Sequence, residues 1–491
     1  MRIAGGGFGE VLDEHTAQSP ERTALVCGSV RITWPVLRAR VAQLAGAMEA
    51  EGVGLGDRVV WAGQNCHRLL EALLAAERLG AVFCPLNWRQ SIDELVFVLD
   101  DADPALVLWQ RAELGDALQT ARARTRSSAR WIAHEDEYEP LLVASQGNSC
   151  RNSTAISSGA PLDTSRPLLM LYTAAFDGRP AGSLLPGRSL QLQALYGMLF
   201  AGIRREDVYL NAGPLFHVGT FKATLATLVA GATNVFVPRA DAEQLCRVID
   251  AEHCTGAFLQ PPTVAAMTEL NTDGRYDLSS LRPKGRYRSG FGQTELGGVV
   301  TFVDADNPSI GCAGRPGPLT RVEIVDENGS AQPPGEVGEI VVRGPAVHCG
   351  YHRRPELTTE RQRGGWHHTA DLGRREADGS ISFLGPMGRM IKSAAENIYP
   401  VEVEACLRTH PAVADVAVIG VPDPVWGESV RAVVVPVEGV VPTLQDLQDH
   451  CRSRIASYKK PTSVVLRDAL PRRGLAIDYD AMQATPVSHQ R

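Results

Sequence analysis

The sequence has no apolar run long enough to cross a membrane and no Cys-x-x-Cys pair among its ten cysteines. Its nearest approach to a membrane helix, residues 190–203, falls short of the ~20 apolar residues that such a helix needs. The N-terminus carries no apolar core of a secretory signal. Without paired cysteines, neither a disulfide framework nor a zinc site is indicated. These absences favour a cytoplasmic protein without membrane insertion and without a bound structural metal.

The chain also has fewer basic than acidic residues. It contains 49 Lys and Arg residues and 56 Asp and Glu residues, so the net charge is −7. A negative surplus argues against nucleic acid as a partner, although a local basic patch for a phosphorylated ligand is compatible with it. The chain of 491 residues exceeds one ordinary core, which predicts two or more domains. A hydrophobic fraction of 44% is that of a soluble globular protein.

Strand and helix patterns alternate along the first half of the chain. Helical apolar spacing over 34–56 is followed by a short buried strand in GDRVVWAGQN and by a helix running into a strand in RLLEALLAAERLGAVFCPLN. The alternation returns at 207–238 and 247–268. Such alternation predicts an α/β fold with a parallel sheet covered by helices.

The pattern of apolar and polar residues changes in the second half of the chain. Residues 320–345 alternate apolar and polar around turn residues, which predicts a β-hairpin of a small antiparallel barrel or sheet. A Ser-, Asn- and Gly-rich stretch at 145–166 reads as a loop, and GPMG at 385–388 as a hinge. A compact α+β tail follows. We therefore expect an N-terminal domain over 1–387 and a mobile C-terminal domain over 388–491.

Seven motifs occur in a fixed order along nearly the whole chain. They are YTxxxxGRPxGxLLP (172–186), PLFHVG (214–219), GFGQTE (290–295), GEIVVRGP (338–345), TADLG (369–373), MIKSAAENIYPVEVE (390–404) and VIGVPDPVWGE (418–428). Together they resemble the acyl-CoA synthetases of the adenylate-forming superfamily. The resemblance implies a large N-terminal domain of layered sheets and helices with a small antiparallel barrel, and a small mobile C-terminal domain. It also implies two steps: a carboxylate and ATP give an acyl adenylate, which CoA then attacks.

The chain departs from this family where the family grips ATP. The phosphate loop of the family has hydroxyls, glycines and a lysine, whereas this chain has Ala-Ala-Phe-Asp-Gly at 174–178 and Ala181 in place of the lysine. Losing a cation and gaining Asp177 weakens attraction to a triphosphate, since one charge pair at ~4 Å contributes roughly 1 kcal/mol in bulk water and roughly 4 kcal/mol near a protein surface. Leu475 stands nearest to the family's adenylation lysine, and an adenine-packing strand–helix unit is reduced to 283–289.

The groups that the family uses for the adenylate and for CoA are largely kept. The resemblance implies ribose binding by Asp371 and contact with the nucleotide phosphate or its magnesium by Thr294 and Glu295, beside Gln293 and Gly292. It implies thioester catalysis by Lys392, whose neighbouring glycines are replaced by Ala394 and Ala395, with His217 at the active site. Acyl contacts are implied for Phe216, Phe291 and Leu296. The residues implied for CoA are Trp426, Tyr458 and Lys460.

Several of these residues also have a purely structural interpretation. His217 is also compatible with a satisfied core histidine, and Trp426 with a residue that caps a strand of the tail domain. The basic residues Arg282, Lys284, Arg286 and Arg288 are ordinarily a solvated loop, and a contact with a ligand phosphate is the alternative. The hinge also departs from the family, with Pro386 and Gly388–Arg389 at positions where the family has other residues.

The losses concern polyphosphate chemistry, so the leading hypothesis is a ligase that has lost adenylation. It would convert acyl-AMP and CoA to acyl-CoA and AMP on a large hydrophobic acyl group, with CoA and the AMP moiety bound and with ATP and magnesium in doubt. Similarity to non-adenylating ligases of platensimycin-type diterpenoid pathways implies a bulky polycyclic group. A separate adenylating enzyme would supply the acyl-AMP, and a homodimer is compatible with the sequence. The rivals are a complete ATP-dependent fatty-acid or aryl-acid ligase, and a pseudoenzyme that binds acyl-AMP or acyl-CoA.

Overall fold

A computed structural model gives the fold. It describes residues 6–145, 163–173, 180–282, 287–304, 306, 312–387, 390–394, 396–398, 400–473, 476–477 and 479–483. The predictions made for the phosphate-loop residues 174–178, for Lys284, Arg286, Gly388, Arg389, Ala395 and Leu475, and for most of the loop at 145–166 lie outside the described residues.

The described helices, numbered in chain order, are α1 (Phe8–Gln18), α2 (Trp34–Ala50), α3 (His67–Leu79), α4 (Ile92–Ala102), α5 (Arg111–Arg124), α6 (Tyr138–Ala144), α7 (Gly187–Phe200), α8 (Val218–Ala230), α9 (Ala242–Glu252), α10 (Pro261–Leu270), α11 (Pro355–Arg361), α12 (Pro400–Leu407), α13 (Leu444–Arg452) and α14 (Tyr479–Gln483).

The described strands are β1 (Thr23–Cys27), β2 (Val30–Thr33), β3 (Arg58–Ala62), β4 (Val82–Pro85), β5 (Leu106–Trp109), β6 (Arg130–Ala133), β7 (Pro167–Thr173), β8 (Ala181–Pro186), β9 (Val208–Asn211), β10 (Thr233–Phe236), β11 (Gly256–Ala257), β12 (Tyr287–Ser289), β13 (Gly292–Gln293), β14 (Gly298–Val299), β15 (Thr301–Asp304), β16 (Cys312–Pro316), β17 (Arg321–Val325), β18 (Val337–Arg343), β19 (Gln362–Arg363), β20 (Trp366–Arg375), β21 (Ile381–Pro386), β22 (Ile391–Ser393), β23 (Glu396–Ile398), β24 (Val413–Asp423), β25 (Gly427–Pro436), β26 (Ser463–Leu466), β27 (Arg472–Arg473) and β28 (Ala476–Ile477).

Two mainly parallel sheets form the large domain. One has the order β6-β5-β3-β4-β7-β8 and the other β11-β9-β10-β1-β2, each closed at one edge by an antiparallel strand, β8 or β2. The strand–helix alternation therefore predicted the parallel pairing correctly, in two sheets. Strands such as β5 are buried along their whole length because helices cover both faces. The largest apolar core includes residues of α2, α3 and α8.

An antiparallel sheet completes the large domain. Its order is β12-β15-β16-β21-β20-β18-β17, with β19 paired to β20. The predicted hairpin over 320–345 is confirmed as β17 and β18, which pair from Arg321–Arg343 to Val325–Glu339. The short hairpin of β13 and β14 carries the GFGQTE motif between this sheet and the helices.

The tail forms a separate α+β unit. Its sheet has the order β23-β22-β25-β24, with β26 parallel to β25, and α12 and α13 supply side chains to its apolar core. The β22–β23 hairpin projects from this unit and carries Lys392. Among the described helices, none combines the length and apolar content that crossing a membrane requires.

Candidate active site

Asp371 lies on β20 and is buried beside the GFGQTE hairpin. Gln293 Nε2 donates to Asp371 Oδ2 over 2.6 Å and to the carbonyl of Thr369 over 2.9 Å. Burial raises the pKa of Asp371 to about 6, against the opposing effects of the Gln293 hydrogen bond and the Lys392 charge. The preceding residue, Ala370, has a φ of 56°, a backbone conformation that is strained for residues other than glycine. A strained backbone thus presents a buried carboxylate to the hairpin.

Glu295 lies in the 3-10 turn Thr294–Leu296, near enough to Asp371 for its charge to contribute to raising the pKa of Glu295. The hydroxyl of Tyr351 donates to Glu295 Oε1 over 2.9 Å, and the backbone N–H of His348 donates to the Glu295 carbonyl over 2.8 Å. Burial raises the pKa of Glu295. Thr294 begins the same turn, so the two residues predicted to lie near the nucleotide phosphate are adjacent to Gln293. Glu295 is the side chain here that would hold magnesium together with substrate phosphates.

Lys392 approaches this site from the tail unit. Its ammonium nitrogen lies 4.8 Å from the centre of the Phe383 ring, a cation–π distance. Phe383 in turn contacts Phe291, with 5.9 Å between the ring centres. The Lys392 charge also contributes to lowering the pKa of Asp371. The structure therefore brings Lys392 from β22 together with Asp371 and Phe291 of the large domain.

His217 faces the same hairpin of the tail unit. It precedes α8, and its Nε2 lies 3.6 Å from Glu396 Oε2 on β23. Arg89 Nη2 donates to Glu396 Oε1 over 2.8 Å, and the Arg89 guanidinium lies 5.0 Å from the centre of the Phe216 ring. Burial raises the pKa of Glu396, but the combined effect of His217, Arg89 and Lys459 is larger and opposite, so the pKa is lowered overall. The plainer reading of His217 as a core histidine does not apply, since its side chain is 41% exposed.

A buried ion cluster fixes the tail unit to the large domain. Lys459 Nζ donates to Glu94 Oε1 over 2.8 Å and also to Glu402 Oε1. Burial lowers the pKa of Lys459, but the two carboxylates raise it by more than burial lowers it. The pKa is therefore raised overall and the lysine stays charged. Ser91, which caps α4 with Glu94 in a capping box, donates through Oγ to the Arg454 carbonyl over 2.7 Å. The N-terminal end of α4 is therefore a docking point for the tail.

The residues predicted to bind CoA lie on the tail unit. Trp426 is half exposed in the β24–β25 connection, and its carbonyl accepts from the backbone N–H of Ala394 over 2.8 Å. Tyr458 packs partly against the tail core, and Lys460 Nζ donates to the Ser457 carbonyl over 2.8 Å. Within the described part of the chain, the Trp426 and Tyr458 rings make no contact with each other. The structure thus connects Trp426 to the Lys392 hairpin but does not close an aromatic pair.

The residues predicted to contact the acyl group differ in burial. Phe216 and Phe291 are 8% and 6% exposed, whereas Leu296 is fully buried in the core of the antiparallel sheet. Phe216 also contacts the His217 ring, with 4.8 Å between the ring centres. Phe216 therefore lies beside Arg89 and His217, which contact Glu396 of the tail, whereas Leu296 belongs to the core.

The regions in which the sequence predicts a loss of ATP-binding groups are partly described. Ala181 is 6% exposed on β8, where it pairs with Thr173 of β7. Residues 271–282 form turns after α10, four residues are outside the described set, and β12 follows and pairs with β15. That interval has no room for a further strand and helix. Arg282 forms an ion pair with Asp207, and Arg288 is exposed.

Sequence reasoning missed the residues that join the two domains. Arg89, Glu396, Glu94 and Lys459 were not predicted as site residues. The capping-box pattern Ser-x-x-Glu at 91–94 is a local signal for the start of a helix, and Glu396 lies inside a quoted motif. No local signal connects Lys459 to Glu94, since 365 positions separate them.

Comparison with known proteins identifies the family. The model of the AMP-binding enzymes matches residues 12–352, and the model of the AMP-binding enzyme C-terminal domain matches residues 402–475. The chain is 34% identical to a feruloyl-CoA synthase of Amycolatopsis sp over 95% of this chain and 96% of the relative. It is 33% identical to an indoleacetate–CoA ligase of Aromatoleum aromaticum, with 95% of each chain covered.

Among solved structures, o-succinylbenzoate CoA synthetase from Bacillus subtilis is similar in fold at 24% identity. A double mutant bound with its product analogue gives a TM-score of 0.81, with 97% of this chain and 98% of that chain covered. The complex of the same synthetase with its acyl-adenylate intermediate gives 0.65, again over 97% and 98%. The fold of this chain is therefore nearer to the first of these two structures.

The chain belongs to the AMP-binding enzymes of the adenylate-forming superfamily and, within them, to the family of acyl- and aryl-CoA ligases.

Proposed function

We propose that this chain catalyses only the thioester-forming half-reaction, converting acyl-AMP and CoA to acyl-CoA and AMP. The observation that carries the proposal is the position of Lys392, which approaches Asp371 and Phe383 while the tail is held by Lys459 and Glu94. Asp371 would accept hydrogen bonds from the ribose hydroxyls, and Lys392 would lie at the reacting phosphate. Asp371 would serve either half-reaction, because ATP and acyl-AMP share the same ribose, whereas Lys392 would serve the thioester-forming step.

The thioester-forming step does not require a loop that binds the triphosphate of ATP. The CoA sulfur attacks the acyl carbonyl carbon, a C–S bond forms, the C–O bond to phosphate breaks, and AMP leaves with the electron pair while the thiol proton passes to solvent. An acyl adenylate has one phosphate charge, so the absence of a cation at Ala181 matters less than for a triphosphate. Positioning of thiol and adenylate can then supply several kcal/mol of the acceleration.

The substrate and its source follow from the same proposal. Phe216 and Phe291 are the aromatic residues that would contact a large, mainly apolar acyl group, and 8% and 6% of their surface remains exposed. Because the adenylate would not be made here, a separate enzyme would activate the carboxylate and release acyl-AMP to this chain. The buried Ala181 and the short interval between α10 and β12 support this division, since both alter the side where ATP would bind.

A complete ATP-dependent ligase is the second candidate. The names of the two relatives favour it, because synthases and ligases of this type couple thioester formation to ATP cleavage. Glu295 also favours it, as a carboxylate able to hold magnesium with phosphates.

Two assays on the purified chain separate these candidates. In ATP–pyrophosphate exchange with a panel of aryl and alkyl carboxylic acids, we expect no exchange above background. With chemically prepared acyl-AMP and CoA, we expect acyl-CoA and AMP in equal amounts. Exchange with any acid would overturn the proposal in favour of the complete ligase. No thioester from any acyl-AMP, with binding retained, would instead indicate a protein that binds these ligands without turnover.

A further inference from the structure

Lys222 is a half-buried cation that the reaction described above does not use. It lies on α8, five positions after His217, which corresponds to about 7 Å along the helix axis. Among the described residues it forms no hydrogen bond and no ion pair. Burial lowers the pKa of Lys222 to about 8, with no neighbouring charge contributing. Lys222 therefore carries a charged amine that burial disfavours and that has no partner among the described residues.

Gln193, on the neighbouring helix α7, has an unpaired acceptor, whereas Lys222 has an unpaired donor. Its Nε2 donates to the carbonyls of Leu296 and Val299 over 3.0 Å each, which fixes the orientation of the amide. With Nε2 engaged in this way, Oε1 is a buried acceptor that has no partner. An unpaired buried acceptor is costly, so such groups commonly receive a hydrogen bond from a ligand or water.

Gly298 brings these two side chains together. A methyl group at Gly298 would lie 2.9 Å from Gln193 Oε1 and 3.3 Å from Lys222 Cδ, so both side chains pack on the bare backbone of β14. The φ of Gly298 is 139°, which side-chain-bearing residues rarely adopt. The Gln193 acceptor and the aliphatic stem of Lys222 therefore both border one glycine, just after the turn that holds Thr294 and Glu295.

We propose that Lys222 and Gln193 form a hydroxyl-binding subsite at the inner end of the acyl pocket. The acyl group carries a hydroxyl there, which accepts from Lys222 Nζ and donates to Gln193 Oε1. Of the common oxygen groups, a hydroxyl alone satisfies both partners, since a ketone offers no donor and a carboxylate would face the Gln193 acceptor. The subsite rests on the proposed function insofar as the acyl adenylate occupies the space between His217 and Gly298.

The test uses stable acyl sulfamoyl adenosines in pairs that differ only by a hydroxyl. Suitable pairs are 4-hydroxycinnamoyl with cinnamoyl and 12-hydroxydodecanoyl with dodecanoyl, measured by isothermal titration calorimetry. We expect at least one hydroxylated member to bind wild type about 10-fold tighter than its partner, as a hydrogen bond to a charged group provides. Lys222→Met should remove that preference without weakening the binding of the unhydroxylated member.

Two further variants make the result specific. Lys222→Arg keeps a charged donor and should retain most of the preference, while Arg247→Met removes a cation from the exposed face of α9 and should change nothing. Equal binding within every pair, or a preference that survives in Lys222→Met, would overturn the subsite. Tighter binding of an 11-carboxyundecanoyl analogue than of either dodecanoyl analogue would also overturn it.

The two proposals fail in different ways. Binding of these analogues requires no turnover, so pyrophosphate exchange by this chain would refute the non-adenylating function and leave the hydroxyl preference intact. Binding of the unhydroxylated analogues without any preference would refute the subsite alone. Failure of wild type to bind any analogue would overturn both.

Discussion

Lys459 Nζ lies 2.8 Å from Glu94 Oε1, and this buried ion pair joins the tail unit to the start of α4 in the large domain. Glu402 shares the same ammonium from within the tail, so one cation balances two carboxylates. Burial raises the pKa of Glu402 despite the lysine. The cluster holds the tail in the arrangement in which Lys392 approaches Asp371.

Replacing Lys459 with Met should release the tail. The change leaves two buried carboxylates without a counter-charge, and breaking a buried pair in this way costs about 3–5 kcal/mol. We expect a lower free energy of unfolding in urea and a larger radius of gyration by small-angle X-ray scattering. Lys460→Met removes the neighbouring, half-buried charge, which does not contact Glu94 or Glu402, and should leave both quantities unchanged. An unaltered radius of gyration in Lys459→Met would show that the ion cluster does not hold the tail.

Lys392→Ala should abolish most of the thioester formation while leaving the adenylate bound. A single cation aimed at a developing charge is worth about 100-fold in turnover. Acyl-CoA release from acyl-AMP and CoA gives the rate, and calorimetry with an acyl sulfamoyl adenosine gives the affinity. Ser393→Ala, on the next residue of β22, serves as the control and should keep the wild-type rate. A normal rate in Lys392→Ala would remove this residue from the mechanism.

Asp371 predicts a pH dependence of nucleotide binding. Its pKa is raised to about 6 by burial, so the carboxylate that would accept ribose hydroxyls is protonated below that pH. The affinity for an acyl sulfamoyl adenosine should therefore rise about 10-fold between pH 5 and pH 7. The asparagine variant cannot ionise and should bind weakly and without this rise. An equally steep rise in Asp371→Asn would assign the titration to another group.

The same raised pKa affects stability with a defined sign. Because the folded-state pKa lies above the ordinary value of 3.8, Asp371 makes its full contribution below about pH 4 and loses it as the pH rises to about 6. Stability measured with Asp371→Asn should lack this loss. The difference between the two proteins, followed by urea unfolding from pH 4 to 7, separates Asp371 from the other carboxylates.

Ala394 should be stabilised by a change to glycine. Its φ of 52° is unfavourable for a residue with a Cβ, and the strain of about 1–2 kcal/mol exceeds the entropy cost of glycine. We expect Ala394→Gly to raise the free energy of unfolding by up to about 1 kcal/mol. Ala39→Gly, at an exposed position inside the helix α2, should lower it by a similar amount. Destabilisation of both variants would mean that the conformation of Ala394 carries no strain.

Lys222→Met should stabilise the unliganded protein by roughly 1–3 kcal/mol at neutral pH, since it removes a buried charge without a partner. The folded-state pKa of about 8 lies below the ordinary 10.5, so the wild-type penalty is complete below pH 8 and disappears as the pH rises to about 10.5. Urea unfolding at pH 7 and pH 10 measures this difference. A gain that is equal at both pH values would point to packing instead of charge.

Much of the fold was predictable because local patterns reflect burial on one or two faces of an element. The strand GDRVVWAGQN and the hairpin at 320–345 were located correctly, as β3 and as β17 with β18. The motifs also contain residues that the structure brings together, Asp371, Gln293 and Lys392, while the roles assigned to them stay predictions. Leu296 shows the limit, because an apolar residue in a motif reads the same whether it faces a ligand or the core behind it.

By itself, the sequence determined the family and the order of the elements, since both follow from the identity and local spacing of residues. Tertiary structure alone decided that Lys459 balances Glu94, that Glu396 meets His217 and Arg89, and that Lys222 and Gln193 share the backbone of Gly298. Charge type and periodicity carry no information on a partner hundreds of positions away. Only the packing of one domain on another, or of two helices on one strand, selects it.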